Sequence, residues 1–446
     1  MKSGPLLFLA LAAAVPVWAQ EPAAPAPAPG ASAPAPVALT LADALKRALA
    51  ANPGLGRSRA DINAAQSQVD VAYSSILPHI GFKSNYTRNN KEVTFGSGKD
   101  AVTILPYNDW SYRFTLSQPI YAGNRERKAI QQARLSVESF RQGLLNAEDQ
   151  LILNVTADYL GVLEAEELLG VEQKNLTLAQ RRRDQAQVFF DAGETTKVDV
   201  LRAEADIKGA ERRLAGARQT REAAVGRLRL DLALEAPIEV KAPGNLFQTL
   251  PPEADLVAAA EAGRPEVAQA VAALESARLE VQKQKNARLP VVTADGAWIQ
   301  QRAAFPTDQY AQLTLNFSVP LFDSGEIRNR VAIAEQRRQQ AELTVQEVRQ
   351  SVREQVHQAL VDLETAGANL RLSTEQLAAS EAEYNQAIEL YRAQELTSLE
   401  SQQAETSLAE TRRTVANSRL DRDIAELRVW AAAGMLKKTV PLEGVQ

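Results

Sequence analysis

Asp109-Trp110-Ser111-Tyr112-Arg113-Phe114-Thr115-Leu116-Ser117-Gln118-Pro119-Ile120-Tyr121-Ala122-Gly123 reads as a strand that runs almost directly into a helix. Trp110, Tyr112, Phe114 and Leu116 fall on one face, and Ser111, Arg113, Thr115 and Ser117 on the other. Three more segments alternate in the same way. Ile80, Phe82 and Tyr86 interleave with Lys83, Asn85 and Thr87; Ala294, Gly296 and Trp298 with Thr293 and Asp295; Leu313, Leu315, Phe317 and Val319 with Thr314, Asn316 and Ser318. A period of two with one polar face fits antiparallel strands that are wet on one side. Four such strands, in two hairpins, are expected. Pro119 and Pro320 should end their strands, because proline lacks the N–H that a ladder needs. Gly123 and Gly325 follow and permit a sharp turn into helix.

The chain reads twice. Leu77-Pro78 recurs as Leu289-Pro290 at a spacing of 212, and Pro119 recurs as Pro320 at a spacing of 201. Leu144, Leu151, Val155, Val162, Leu169 and Leu176 then fall in register on Val345, Val352, Val356, Leu363, Leu370 and Leu377. Two copies of one unit are expected, over 39–236 and 253–436, joined by a linker at 237–252 and followed by a tail at 437–446. The first copy carries the extra length in its hairpin loop, about Asn90 to Asn108; the second loop spans Ala303 to Asp308. In each copy a helix runs to Leu77 or Leu289. A very long helix follows the strands, from Gly123 to Phe190 and from Gly325 to Tyr391, and a last helix starts near Thr196 or Thr397. Val345, Val348, Val352, Val356, Ala359, Leu363, Ala366 and Leu370 form a sustained coiled-coil seam. A helix of about 67 residues is roughly 100 Å long, too long for a compact globule.

Composition narrows the function classes. The 446 residues carry 50 Lys+Arg and 55 Asp+Glu, a net charge of −5, which argues against nucleic acid as a partner. There is no Cys, which excludes disulfides, thiolate metal sites and a cysteine nucleophile. Residues 1–19 read as a signal peptide, with Lys2, an apolar core from Leu6 to Val15 and a Val17-Trp18-Ala19 cleavage site; an N-terminal anchor is the other reading. Residues 20–38, Ala/Pro-rich, are expected to be a disordered leader. No later window holds eighteen consecutive apolar residues, so a membrane crossing would be made by strands.

The strands suit a soluble sheet or a membrane barrel. Export, aromatics near the strand ends and wholly polar opposite faces favour the barrel. Four strands cannot close a pore, and open edges in lipid leave N–H and C=O groups unpaired at several kcal/mol each. The wall must be shared among chains. Two chains would supply eight strands, mostly filled by their own side chains, so a conducting tube favours at least three. The expected class is an α+β membrane protein: strands from each chain contribute to a shared barrel continuous with a coiled-coil rod. A soluble periplasmic coiled-coil scaffold or adaptor is the competing reading.

Taken together, the joints Pro119-Ile120-Tyr121-Ala122-Gly123 and Pro320-Leu321-Phe322-Asp323-Ser324-Gly325, with the hairpin tip Phe190-Asp191-Ala192-Gly193-Glu194-Thr195-Thr196-Lys197-Val198-Asp199-Val200-Leu201, resemble the TolC-like outer-membrane efflux protein family. The resemblance implies a homotrimer with a 12-stranded barrel in outer-membrane lipid. It further implies a 12-helix periplasmic tunnel that meets an inner-membrane pump through a periplasmic adaptor, and a passive role in efflux or type I secretion. By the same resemblance Glu400 occupies one position of an acidic periplasmic constriction. Gln403 replaces the second acid, Asp199 is the counterpart in the first copy, and Tyr391 is a retained gate residue. Gln394 stands in place of the usual Gly, and Leu396 where a gate-linking Arg can occur.

Enzymatic chemistry is not expected. No His-Glu-x-x-His, Gly-x-Ser-x-Gly or dinucleotide motif is present, so neither an enzyme nor a cofactor is indicated. Gly96-Ser97-Gly98-Lys99-Asp100 lacks the spacing of a phosphate loop, and His79 and His357 lack a third ligand nearby. Arg181-Arg182-Arg183 and Arg337-Arg338 read as a solvated face or as inter-helix pairing.

Overall fold

The computed structural model describes residues 37–96, 98, 101–242, 249–303, 308–393 and 395–439. The signal peptide, the leader through residue 36, Gln394 and residues 440–446 lie outside the described residues, as do residues 97, 99 and 100 of the glycine-rich loop.

The first half begins with β1 (Val37–Leu39), α1 (Leu41–Ala51) and α2 (Pro53–Ser74). Asn52 separates the two helices. It accepts from Gly54 N–H at 2.7 Å and so caps α2, whose first residue is Pro53. Next come β2 (His79–Arg88), a small hairpin of β3 (Val93–Phe95) and β4 (Val102–Leu105), and β5 (Asn108–Ala122). The long helix α3 (Arg125–Asp191) and α4 (Lys197–Asp231) complete it. After β6 (Ile238–Val240) the second half repeats this order: α5 (Glu253–Gly263), α6 (Pro265–Lys285), β7 (Val291–Gln301), β8 (Gln309–Ser318), α7 (Glu326–Arg392) and α8 (Ser398–Ala432), then α9 (Leu436–Thr439). Both long helices have 67 residues, and α4 and α8 both have 35.

The helices make a rod. α2 and α4 both lie along α3, α6 and α8 both lie along α7, and α6 and α8 also touch α3, which joins the halves. The α7 seam is as spaced in the sequence: Val345, Val352, Val356 and Ala359 are buried, and Val348, Leu363, Ala366 and Leu370 half-buried. The main core is a belt around the middle of the rod. There Leu45 of α1, Ile152, Val155 and Tyr159 of α3, Leu228 of α4, and Leu427 and Trp430 of α8 pack together. Tyr159 is fully buried, and its hydroxyl fastens the parallel β1–β6 pair to α3. Its oxygen lies 2.6 Å from Lys241 O and 3.0 Å from Leu39 O, and accepts from Lys241 N–H at 3.1 Å.

The sheet is antiparallel, in the order β2-β5-β7-β8, with β2 and β8 at its edges. The register keeps the alternation through all four strands. Phe82 pairs with Phe114, Phe114 with Trp298, and Trp298 with Ala311, all on one face. Phe82 and Phe114 have ring centroids 4.7 Å apart, and Phe114 and Trp298 5.7 Å. This face lies bare: Ile80 is 81% exposed and Leu313 83%.

Several expectations need correction. Pro119 does not end its strand. β5 continues to Ala122 through a bulge between Pro119 and Tyr121, where Val292 and Val291 of β7 pair with Tyr121 and Ala122. Proline within a sheet is confined to edges, strand starts and bulges, and here it stands beside a bulge. In the second half β8 stops at Ser318, before Pro320, as expected. Val37 and Ala38, expected in the leader, lie in β1. Within the 237–252 linker, Ile238–Val240 forms a strand that pairs with β1. The first hairpin loop contains β3 and β4, Asn108 belongs to β5, and α2 stops at Ser74. The tail begins inside α9, where Lys437 Nζ lies 2.7 Å from Glu148 Oε2.

Candidate functional site

The two long hairpins turn at the end of the rod remote from the sheet. The first tip turns through Gly193, whose φ of +77° fits its role as the left-handed residue after a helix. Glu194 N–H donates to Phe189 O, and in the second tip Glu395 N–H donates to Leu390 O. Each return helix opens on a threonine and an acid three residues later. Glu400 Oε2 accepts from Thr397 N–H at 3.0 Å and Thr397 Oγ1 at 2.7 Å, and Thr397 Oγ1 accepts from Glu400 N–H at 3.3 Å. Asp199 Oδ2 accepts from Thr195 Oγ1 at 2.6 Å, Thr196 Oγ1 at 3.0 Å and Thr196 N–H at 3.4 Å. The Thr195 hydroxyl, then Thr196, holds the Asp199 carboxyl below its usual range, and the Thr397 hydroxyl does the same for Glu400. Both acids therefore cap their helices as well as carrying charge.

Glu400 and Gln403 are exposed one turn apart on α8, in a stripe that continues through Thr406 and Glu410. The opposite side of α8, Ser401, Ala404 and Leu408, is buried. Tyr391 is buried instead, with its ring edge-on to Phe189 at 5.8 Å, so it packs the second tip against the first. Asp199 is half-buried, with Arg202 at 3.8 Å. The structure thus separates the four residues: two face outward on α8, one holds the first tip's cap, and one packs between the tips.

Above the tips the hairpins are joined by charge. Arg182 of α3 bridges Asp206 of α4 and Glu405 of α8, and Gln402 Nε2 donates to Asp206 Oδ1 at 2.8 Å. Farther up α3 the signs invert. Glu172, almost wholly buried, is held by Arg213 of α4 at 3.5 Å and by Arg413 of α8 at 2.5 Å. A third link joins Glu167 of α3 to Arg419 of α8 at 3.1 Å. Burial pushes the Glu405 carboxyl up, against the pull of Arg182 and Arg213. Of the two arginine runs, the first therefore contains an inter-helix clamp. In the second, Arg338 pairs with Glu342 on its own helix.

At the other end of the rod, each strand-to-helix joint uses two consecutive left-handed residues: Gly123 (φ +65°) and Asn124 (+59°), and Ser324 (+52°) and Gly325 (+85°). The glycine comes first in one joint and second in the other. A Cβ on Gly123 would lie 2.7 Å from Asn286 O. Asp323 secures the second joint, accepting from Gly325 N–H at 3.0 Å and Ile327 N–H at 2.9 Å.

Among the described residues no cluster of His, Asp or Glu has metal-site geometry, and no helix is long and apolar enough to cross a membrane. His357 Nδ1 lies 3.1 Å from Glu253 Oε1 at an exposed position.

The outer membrane efflux protein family matches residues 44–233 and again residues 256–435. The chain belongs to that family. It is 23% identical to outer membrane efflux protein BepC of Brucella suis over 89% of this chain and 86% of BepC. It is 28% identical to the alkaline protease secretion protein AprF of Pseudomonas aeruginosa over 65% of this chain and 62% of AprF. The solved channel CusC superposes with a TM-score of 0.77 at 17% identity, covering 88% of this chain and 92% of CusC. This outer membrane efflux protein is an exit duct in the outer membrane with a helical periplasmic extension. Membership sets aside the soluble scaffold, because the family is one of outer-membrane channels and not of enzymes.

Proposed function

We propose that three copies of this chain close one barrel of twelve strands and one tunnel of helices, forming a passive duct. The observation that carries this reading is the sheet: four strands with two unpaired edges and a bare apolar face. In lipid such edges must be paired, and β8 of one copy is free to pair with β2 of the next. The halves at 39–236 and 253–436 are read as a duplication, which makes the trimer a ring of six similar hairpins. The sequence carries no energy-coupling motif, and an inner-membrane pump drives cargo in this reading, reaching the tips through a periplasmic adaptor. The names BepC and AprF support efflux and protein secretion as the two settings in which such a duct works.

Access is controlled at the tips. Glu400 and Gln403 line the constriction, Asp199 fixes the first tip's turn, and Tyr391 holds the tips together. Opening would part α7 and α8 from their neighbours there. The decisive experiment is single-channel conductance of the purified trimer from outer membranes, with Glu400→Ala beside wild type. Reduced cation selectivity in the variant supports the assignment. A water-soluble monomer, or a channel indifferent to Glu400→Ala, overturns the trimer or the gate respectively.

A further inference from the structure

The polar face of the sheet carries its charges at separate levels. Lys83 of β2 and Arg113 of β5 are direct cross-strand partners. Like charges placed opposite each other destabilise a sheet, so this pair needs a reason. Both side chains are exposed, and neither has an ion-pair or hydrogen-bond partner among the described residues. Across the sheet the same level continues through Ile299 and Tyr310, which add no acid.

The acids of this face stand elsewhere. Asp109 lies four residues away along β5, paired with Thr87. Asp295, paired with Ser117, lies four residues from Arg113 in the other direction. Asp295 is taken up by Ser117 Oγ at 2.5 Å, Asn316 Nδ2 at 2.6 Å and Thr293 Oγ1 at 3.2 Å. Four residues of strand span about 13 Å. That exceeds the roughly 8 Å over which salt at physiological strength screens a charge. The acidic levels therefore do not cancel the basic one.

We propose that Lys83 and Arg113 form an anion-attracting level inside the barrel, which favours small anions and anionic cargo where the duct crosses the membrane. The proposal rests on the trimeric-barrel reading, under which six cationic side chains converge at one height of the lumen. The duct then carries one basic level within the barrel, set between two acidic levels, and acids at the tips.

The test is the reversal potential of the full-length channel in planar bilayers under a KCl gradient. Lys83→Gln combined with Arg113→Gln should lower the chloride-to-potassium permeability ratio about threefold. The change should be larger in dilute than in concentrated salt, and the exchange Lys83→Arg with Arg113→Lys should preserve the ratio. If the double variant does not assemble as a heat-modifiable trimer, Lys83→Glu alone should lower the ratio. An unchanged ratio in dilute salt, in assembled channels, overturns the proposal and leaves the duct intact. A wild-type protein that forms no channel overturns both.

Discussion

The guanidinium of Arg182 lies 3.1 Å from the carboxylate of Glu405, and this contact ties α3 of the first hairpin to α8 of the second. Arg182 and Glu405 side chains are only 9% and 16% exposed. A charge removed from such a pair leaves its partner buried and unpaired, which costs more than the pair contributes. Arg182→Ala strands Glu405 and leaves Asp206 with the Gln402 amide alone. It should destabilise the rod by about 2–4 kcal/mol, seen as a lower denaturation midpoint of the purified protein. Because the clamp opposes parting of the hairpins, the same variant should raise mean single-channel conductance. A variant that denatures like wild type would show that the clamp is not a restraint.

Glu164 supplies a pH dependence of opposite sign to the usual acid unfolding. Burial first, then Asp421 and Glu167, raises its carboxyl to about 7 from an ordinary 4.5. The folded chain therefore binds this proton more tightly than the unfolded chain does. The stability this gives is complete below 4.5 and is lost as pH rises through about 7. Denaturation midpoints of wild type should fall over that window. Glu164→Gln should flatten the fall and be the more stable protein at alkaline pH. Asp231, raised by burial and by Asp158, keeps part of the slope in the variant.

The joints should respond unequally to the same change. A Cβ on Gly123 meets backbone oxygen of Asn286 at 2.7 Å and Leu289 Cβ at 3.0 Å, so Gly123→Ala forces the α6–β7 connection to move. At Gly325 the nearest atom is a mobile Arg328 nitrogen at 3.5 Å, leaving only the strain of a positive φ, about 1–2 kcal/mol. Yield of folded protein in the outer membrane should collapse for Gly123→Ala and drop modestly for Gly325→Ala. Equal yields would refute the steric account.

What the sequence disclosed follows from how many residues carry each signal. The 67-residue helices repeat their seam often enough to fix both phase and length, and alternation over ten residues or more fixes the faces of β2, β5 and β8. β1 and β6 have three residues each, too few for a period, and their partner is some two hundred positions away. Pro119 misled because a bulge, set by pairing with β7, overrides the local rule. The clamp was legible in principle. Asn175, Arg182 and Phe189 stand at seven-residue steps, which puts Arg182 on the seam and not on the solvated face of its arginine run.

The capping role of Glu400 and the gate role proposed for it can be separated by substitution. Its carboxylate closes a capping box with Thr397, and its charge faces outward beside Gln403. Alanine removes both, at about 1 kcal/mol of helix stability. Glutamine can still accept from the Thr397 N–H, because Glu and Gln both serve at this position of the box. Glu400→Gln should therefore keep the wild-type denaturation midpoint while lowering cation selectivity, whereas Glu400→Ala lowers both. Thr397→Ala gives the converse, a weakened cap with the charge retained, and should alter stability far more than selectivity. The Thr397 hydroxyl holds the carboxyl below its usual range, so selectivity of wild type should persist to lower pH than in Thr397→Ala. If Glu400→Gln conducts with unaltered selectivity, the acid serves the helix alone and the proposed gate role of Glu400 falls.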